Sequence, residues 1–342
     1  MLNLPIIFYF LMKIFTLCLI IITKILYYRK NIIKGVLHME ITNRFISLIM
    51  AIAAFFTSLI TDFDNTIADF RDSLFPPAVL TDFGEKSADA IRIMSFNIRF
   101  GDLGNLSAED RFDDVETVIE KGHPDSIGLQ EATPAWMDYL SANLEEYAFV
   151  GVGRDDGVNS GEYSAVFYLK DKYTAIDSGT FWLSDTPDIP SKGWGADCYR
   201  ICTWVILENN ETKETYVHMN SHFDFANEDV KYNSAKMINE KAKEFDGMPV
   251  VFTADMNFSE DSVYYNSFVD EGVFLNTKDV AEDTMDYLTY HDRMPLTHTN
   301  SVIDYIMIND KFDAEVYRVV TAATEGHYVS DHFPLYADII LK

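Results

Sequence analysis

The chain has 342 residues, is 48% hydrophobic and carries a formal net charge of −27, so it is apolar enough for a domain of roughly 250 residues to close a large core, and a solvated polyelectrolyte is excluded. The acidity makes long nucleic acid a poorly steered partner, since like charge repels over about 8 Å in physiological salt, and it equally serves to keep an exported domain soluble. Three cysteines exclude a disulfide scaffold: Cys18 lies in an apolar run, and Cys198 and Cys202 lack zinc-site spacing and on one strand would stand about 13 Å apart, so they read as small core residues.

The N-terminal part differs from the rest. Residues 4–26 are apolar apart from Lys13 and Lys24, and residues 45–61 contain no charge, which predicts two membrane segments. Arg29, Lys30, Lys34 and Arg44 lie between them against the single acid Glu40, whereas Asp62 and Asp64 follow the second run. The positive-inside bias therefore puts the connecting loop in the cytoplasm and the following domain outside it, anchored to the membrane. If Met39 is the true start, Arg44 and the second run form a signal peptide or single anchor, and a cleaved version would be secreted. The first 60 residues carry six Lys/Arg and one acid, a balance of +5, which leaves −32 on the remainder.

Residues 61–89, with Pro76-Pro77 and Gly84, read as a tether to a domain spanning 90–342. Within that domain residues 91–99 predict a strand, 111–121 a helix with Val115, Val118 and Ile119 on one side, and 126–131 a second strand. A helix then begins near Thr133-Pro134, with Thr as cap and Pro in the first turn. Strands follow over 147–152, 165–169, 175–183, 199–207 and 215–220. The Gly-rich stretch 151–157 between the first two has acids where a phosphate cradle needs amides, and reads as a turn. Residues 227–245 predict a helix capped by Asn227, with Glu228 and Asp229 in its first turn and Gly247 past its end. Strands over 250–254, 302–308, 315–321 and 335–341 complete the chain. Strand-rich halves with helices outside fit two packed sheets flanked by helices, an α/β architecture.

Six polar motifs stand close behind apolar runs: Ser95-Phe96-Asn97-Ile98, Leu129-Gln130-Glu131, Asn220-Ser221-His222-Phe223-Asp224, Asp255-Met256-Asn257, Ile303-Asp304-Tyr305-Ile306 and Ser330-Asp331-His332. Carboxylates, amides and imidazoles at strand ends are the residue types that hold a hard divalent cation and steer a water at phosphorus, although Asp, Asn and Ser also favour turns for backbone reasons alone. In order and local sequence the set resembles the endonuclease/exonuclease/phosphatase superfamily of magnesium-dependent phosphoesterases, which includes DNase I, apurinic endonucleases, deadenylase-like proteins and bacterial sphingomyelinases; the last two are the branches it most resembles. The similarity also takes in the segments 178–184, 200–204 and 330–335.

The resemblance implies a four-layer α/β/β/α sandwich and a metal-dependent phosphoesterase using Mg2+, with Mn2+ a possible substitute. It implies Glu131 as the metal anchor, Asn97 beside it and Asp331 as a further contact. Asp255 and Asn257 would orient nucleophile and phosphate, facing the same way because they lie two apart on an extended segment. Asp304 would hold His332 as a carboxylate holds imidazole in hydrolase triads, and His222 would supply a second donor to phosphorus. Arg200 would contact substrate phosphate or form a surface salt bridge. The sequence departs from the pattern at Ala254, Met256 and Ser221, which stay small or apolar, and after Thr289-Tyr290-His291, where Asp292 replaces the usual Gly.

Two function classes follow: a phosphoesterase acting on a nucleotide, nucleic acid, lipid headgroup or sugar phosphate, and an inactive, membrane-tethered binding domain of the same fold. Nuclease, phosphatase and lipid phosphodiesterase share one inner shell, so the motifs do not choose between them. Asp62-Phe63-Asp64-Asn65-Thr66 matches the nucleophile signature of haloacid-dehalogenase-type phosphatases, but no region remains for the lysine and acidic pair that fold requires.

Overall fold

The structure, a computed structural model, describes residues 83–292, 302–321, 323–324 and 327–342. The two N-terminal apolar runs, the Asp62–Thr66 motif and the tether as far as residue 82 lie outside the described residues. Among those that are described, no helix is long and apolar enough to cross a membrane.

Residues 83–89, assigned to the tether by sequence, are seated on the domain. Phe83 packs on Tyr336 with ring centroids 5.6 Å apart, and the Gly84 carbonyl accepts from Arg92 Nη2 at 2.8 Å. Lys86 pairs with the buried Asp125, which also accepts from Lys172 Nζ at 2.6 Å. Burial acts to raise the Asp125 pKa, but Lys86 and Lys172 outweigh it and hold the carboxyl below its usual range.

In chain order the elements are β1 (Ile91–Asn97), α1 (Phe112–Gly122), β2 (Ser126–Gln130), α2 (Pro134–Asn143), β3 (Tyr147–Val150), β4 (Val166–Leu169), β5 (Tyr173–Trp182), β6 (Ile201–Asn209) and β7 (Thr215–His222). They continue with α3 (Glu228–Glu244), β8 (Val250–Asp255), α4 (Val263–Asp270), β9 (Leu275–Asn276), α5 (Thr277–Val280), β10 (Asp283–Thr284), β11 (Asp304–Ile308), β12 (Phe312–Val319), β13 (Ala323–Thr324), β14 (His327–Tyr328) and β15 (Leu335–Leu341). One sheet has seven strands in the order β10-β12-β15-β1-β2-β4-β3, and a second has six in the order β5-β6-β7-β8-β11-β9.

The layers follow from side-chain periodicity. Val115, Val118 and Ile119 of α1 and Trp136, Met137 and Leu140 of α2 bury against the seven-stranded sheet. On β7, Val217 and Met219 face outward to Ala235 and Ile238 of α3, while Tyr216, His218 and Asn220 face the other sheet. The result is helix pair, sheet, sheet, helix pair, as the motifs implied.

Local chemistry sets the helix ends. Asn227 Oδ1 accepts from Val230 N at 3.0 Å and caps α3, and Pro134 takes the first turn of α2, although the Thr133 hydroxyl makes no cap hydrogen bond. Helix α4 is absent from the sequence reading because its Val, Tyr and Phe content favours strand. Ser262 Oγ caps it by accepting from Tyr265 N at 3.1 Å, and Tyr265 and Phe268, one turn apart, bury. Cys198 and Cys202 are both free. Cys202 is a core residue, whereas Cys198 is half-exposed and contributes its backbone amide to Asp224 Oδ2 at 3.0 Å.

A polar seam crosses the interface between the sheets. His218 bridges Ser126 Oγ at 2.8 Å and Thr253 Oγ1 at 2.9 Å, and Gln130 Nε2 donates to Asn220 Oδ1 at 2.7 Å. Gly128 makes the close approach possible, since a Cβ there would lie 2.0 Å from Thr253 Oγ1. The seam lies immediately before Glu131, His222 and Asp255 along their strands.

Candidate active site

Strand direction gathers the motifs. β1 runs parallel to β2, and β7 to β8, so Asn97, Glu131, His222 and Asp255 stand at one end of the molecule's strands. β11 is antiparallel to β8 and β15 to β1, which brings the starts of those strands, Asp304 and Asp331-His332, to the same end. His222, Asp255 and Asp304 sit in one row, with Asp255 paired to both neighbours.

Asn97 joins the sheets: its Nδ2 donates to Glu131 Oε1 at 3.1 Å and to Asp255 Oδ2 at 2.9 Å. The dipeptide Arg99-Phe100 then ties three of the sequence-selected residues together. The Arg99 amide donates to Asn97 Oδ1 at 3.0 Å, the Phe100 amide to Glu131 Oε2 at 2.8 Å, and Arg99 Nη1 to Asp331 Oδ2 at 3.0 Å. Arg99 and Glu131 adopt φ of 61° and 62°, a left-handed conformation costly for such residues and held here by these contacts. Beneath them Arg111, fully buried, donates to the carbonyls of Ile98, Arg99, Gly101 and Val329 at 2.7–2.9 Å. Burial lowers its pKa to about 10, still well above neutrality.

Asn97, Glu131 and Asp331 offer only oxygen as ligand atoms, a donor set that fits a hard cation such as Mg2+. A second acidic group, Asp255, Asp304 and His332, has ligand atoms all within 4.8 Å of one another. It is spanned by its own cation. His332 Nδ1 lies 2.9 Å from Asp304 Oδ2, and Nε2 lies 3.8 Å from Asp255 Oδ2. Burial acts to lower the His332 pKa, but Asp304, Asp255 and Asp331 raise it to about 10. Asp255 is pushed up to about 7 by burial and by the Asp304 charge. Thr289 Oγ1 donates to Asp304 Oδ2 at 2.6 Å, completing that carboxylate.

His222 is the neutral partner. Burial, followed by the Arg200 and Arg154 charges, drives its pKa well below the ordinary value. Asn257 Nδ2 lies 2.9 Å from His222 Nε2 and 2.9 Å from the Phe223 carbonyl, so Nε2 accepts and Nδ1 carries the proton. Asp255 Oδ2 lies 3.4 Å from the same Nε2, so Asp255 and Asn257 converge on one imidazole nitrogen, as the motif implied. The strand ends at Asp255 and Asn257 turns left-handed at φ 53°, so a turn and not strand alternation brings the two side chains together.

Arg200 is buried, not on the surface, with Nε 3.5 Å from Asp224 Oδ2 and Nη1 without a hydrogen-bond partner. It lines a narrow recess with Arg154, Glu162, Ser164 and His222. Arg154 forks onto Glu162 at 2.6 and 2.8 Å. Arg154 lies in the stretch expected to be only a turn. Its one signal in the sequence was a lone arginine among acids, too weak to single it out. Tyr290 packs its ring 4.8 Å from His332, and Asp292 takes φ 41°, the conformation that a glycine there would adopt without strain.

Comparison with known proteins matches residues 94–332 to the endonuclease/exonuclease/phosphatase family. A mannosyl-6-phosphatase of Bacteroides thetaiotaomicron is 30% identical with a TM-score of 0.70, covering 73% of this chain and 100% of that one. A family protein of Bacteroides vulgatus is 34% identical with a TM-score of 0.70, covering 74% and 99%. An uncharacterized protein of Acanthamoeba polyphaga mimivirus is 24% identical over 244 residues, 66% of this chain and 90% of the relative. The chain belongs to the endonuclease/exonuclease/phosphatase family, whose DNase I-like two-sheet fold it shares.

Proposed function

We propose that the domain is a magnesium-dependent phosphoesterase that hydrolyses a small phosphate ester, a sugar phosphate, by attack of water on phosphorus. The observation that carries the reading is the convergence of six strand ends, with Asn97 hydrogen-bonded to Glu131 of one sheet and Asp255 of the other. The relative that cleaves mannosyl 6-phosphate and the charge of −32 outside the first 60 residues both favour a small ester over a polyanion.

Asn97, Glu131 and Asp331 would hold the metal. Bound there, Mg2+, or Mn2+ in its place, would supply positive charge to a non-bridging phosphate oxygen. Asp255, with a pKa near neutrality, takes the proton of the attacking water. His332, cationic and fixed by Asp304, donates to a phosphate oxygen from Nε2. His222 Nδ1–H and the free Nη1 of Arg200 donate to the others, with Arg154 adding charge across the recess. The N-terminal apolar runs and their flanking charges support a membrane-anchored protein with its catalytic domain extracytoplasmic; a start at Met39 with cleavage would make it secreted.

The test is a panel of hexose phosphates, RNA, DNA and sphingomyelin with Mg2+, with and without chelator, for wild type and Glu131→Ala. Turnover is expected on hexose phosphates and is lost with chelator or in the variant while circular dichroism is unchanged. Binding without turnover would assign the inactive class, and faster cleavage of RNA, DNA or sphingomyelin would replace the substrate class. Protease accessibility of the domain in intact cells checks its location.

A further inference from the structure

A cavity of about 520 Å³ opens where β3, the edge of the seven-stranded sheet, faces β5 and β6 at the edge of the other. Its wall includes Ser178, Thr180 and Trp182 of β5, Thr203 of β6, and Asp156 and Asp188 from loops. The volume lies in the range of small-molecule sites, roughly 300–1,000 Å³.

Two contacts connect it to the phosphate recess. Thr203 stands two residues beyond Ile201, which lines the recess with Arg200 and His222, so along the β6 backbone these two lining residues are on the order of 7 Å apart. Arg154 lines the recess, and its carbonyl accepts the indole N–H of Trp182, a residue of the cavity wall, at 2.8 Å. Gly157, at φ +73°, lets the backbone close on the indole, since a Cβ there would lie 3.0 Å from the ring.

The chemistry of the wall selects its occupant. The Thr180 and Thr203 hydroxyls lie 3.1 Å apart. Asp156 Oδ1 accepts the amides of Val158, Asn159 and Ser160 at 2.8, 3.0 and 2.9 Å, which fixes the carboxylate and leaves its second oxygen for a ligand. Asp188 is an exposed carboxylate across the opening. Among the described residues no lysine or arginine lines the cavity, so a second phosphate would be repelled. Carboxylates that accept from neighbouring hydroxyls, hydroxyls that donate and accept, and one indole together match a neutral polyhydroxyl group.

We propose that this cavity is the subsite for the uncharged sugar of the substrate, a pyranose held by Asp156, Asp188 and Trp182 while its phosphoryl group reaches toward the catalytic groups. The proposal deepens the phosphatase reading and rests on it only for the phosphate end.

The full chain is compared as wild type, Asp188→Ala and Ser178→Trp, the last filling the cavity from an exposed position. One readout is kcat/KM for a hexose 6-phosphate relative to phenyl phosphate, with Mg2+ present. The other needs no turnover: titration with a methyl hexoside, followed by the indole N–H resonance of Trp182 and assigned with Trp182→Phe. The ratio is expected to fall about ten-fold in Asp188→Ala and further in Ser178→Trp, and the indole shift to vanish in Ser178→Trp. An unchanged ratio in Asp188→Ala, or a glycoside that leaves the wild-type indole unmoved, overturns the subsite, and so does a preference for phosphocholine over hexose phosphate. If the wild type hydrolyses neither ester, the phosphatase reading fails, while the glycoside titration still decides the cavity. Should Ser178→Trp not fold, Asp188→Ala carries the test alone.

Discussion

On the Asp304 side of the site Thr289 donates at 2.6 Å, His332 lies at 2.9 Å, and Asn97 secures Asp255 at 2.9 Å. On the Arg200 side, Arg200 Nη1, Arg154 Nε and His222 Nδ1 are all buried without a hydrogen-bond partner. A buried polar group left unmatched costs about 1–3 kcal/mol, and more when charged. The acid–base half is thus set by its own hydrogen bonds before substrate arrives, with only His332 Nε2, 3.8 Å from Asp255 Oδ2, left to donate. The binding half is incomplete: its donors line a recess too narrow to hold a water molecule, so an anion would have to widen it to satisfy them.

The contrast breaks most sharply at Asp255. Asp255→Asn keeps the shape and the hydrogen bond to Asn97 but removes the base, so kcat is expected to fall about 10³-fold with an unchanged circular dichroism spectrum. Activity within ten-fold of wild type would show that another group takes the proton. Arg200→Met tests the other half. Because Asp224 keeps the amides of Cys198 and Ala226, the melting temperature is expected to move little, while kcat/KM falls about a hundred-fold, mostly through KM. A large loss of stability with normal KM would make Arg200 structural.

Thr289→Val removes one donor from Asp304 and the acceptor of the Ile303 and Asp304 amides. A fall in kcat of about ten-fold at constant KM is expected, and a change in KM alone would place Thr289 on the binding side. A further effect concerns stability against pH in the presence of chelator. His332, at about 10 when folded against 6.5 for the free group, contributes stability that is whole below 6.5 and lost as pH rises to about 10. Asp255, at about 7 against 3.8, also binds its proton more tightly when folded, so stability falls as pH rises between those values. Asp125, held low by Lys86 and Lys172, works in the opposite sense and loses its contribution as pH falls through its folded value. Denaturant midpoints across pH check the slopes, and a rise between pH 7 and 10 contradicts the His332 assignment.

Strands and site were legible to different degrees. Apolar runs long enough for a strand, each closed by a polar residue of metal or acid–base chemistry, made Asn97, Glu131, Asp255 and Asp304 visible from sequence. Strand ends drifted by up to three residues, as at β12, where the bulge between Ala314 and Val316 disturbs the alternation. Arg99 and Arg111 were hidden because they act through backbone amides and carbonyls, which leave no trace in side-chain pattern. Arg154 and Glu162 were hidden because their pairing is a product of the turn between them. Asn257 lies beside Asp255 for a reason the sequence does not carry, since an αL turn and not the two-residue period of a strand brings it to His222.

The seam of His218, Ser126, Thr253, Asn220 and Gln130 has a further consequence. Apolar faces slide over one another at little cost because hydrophobic contact has no direction, whereas hydrogen bonds fix distance and angle. The catalytic groups come half from each sheet, so a shift of one sheet by a single residue would leave two intact scaffolds and no working centre. His218, buried and kept neutral with its pKa pushed down to about 3, acts as an alignment key between two otherwise greased plates.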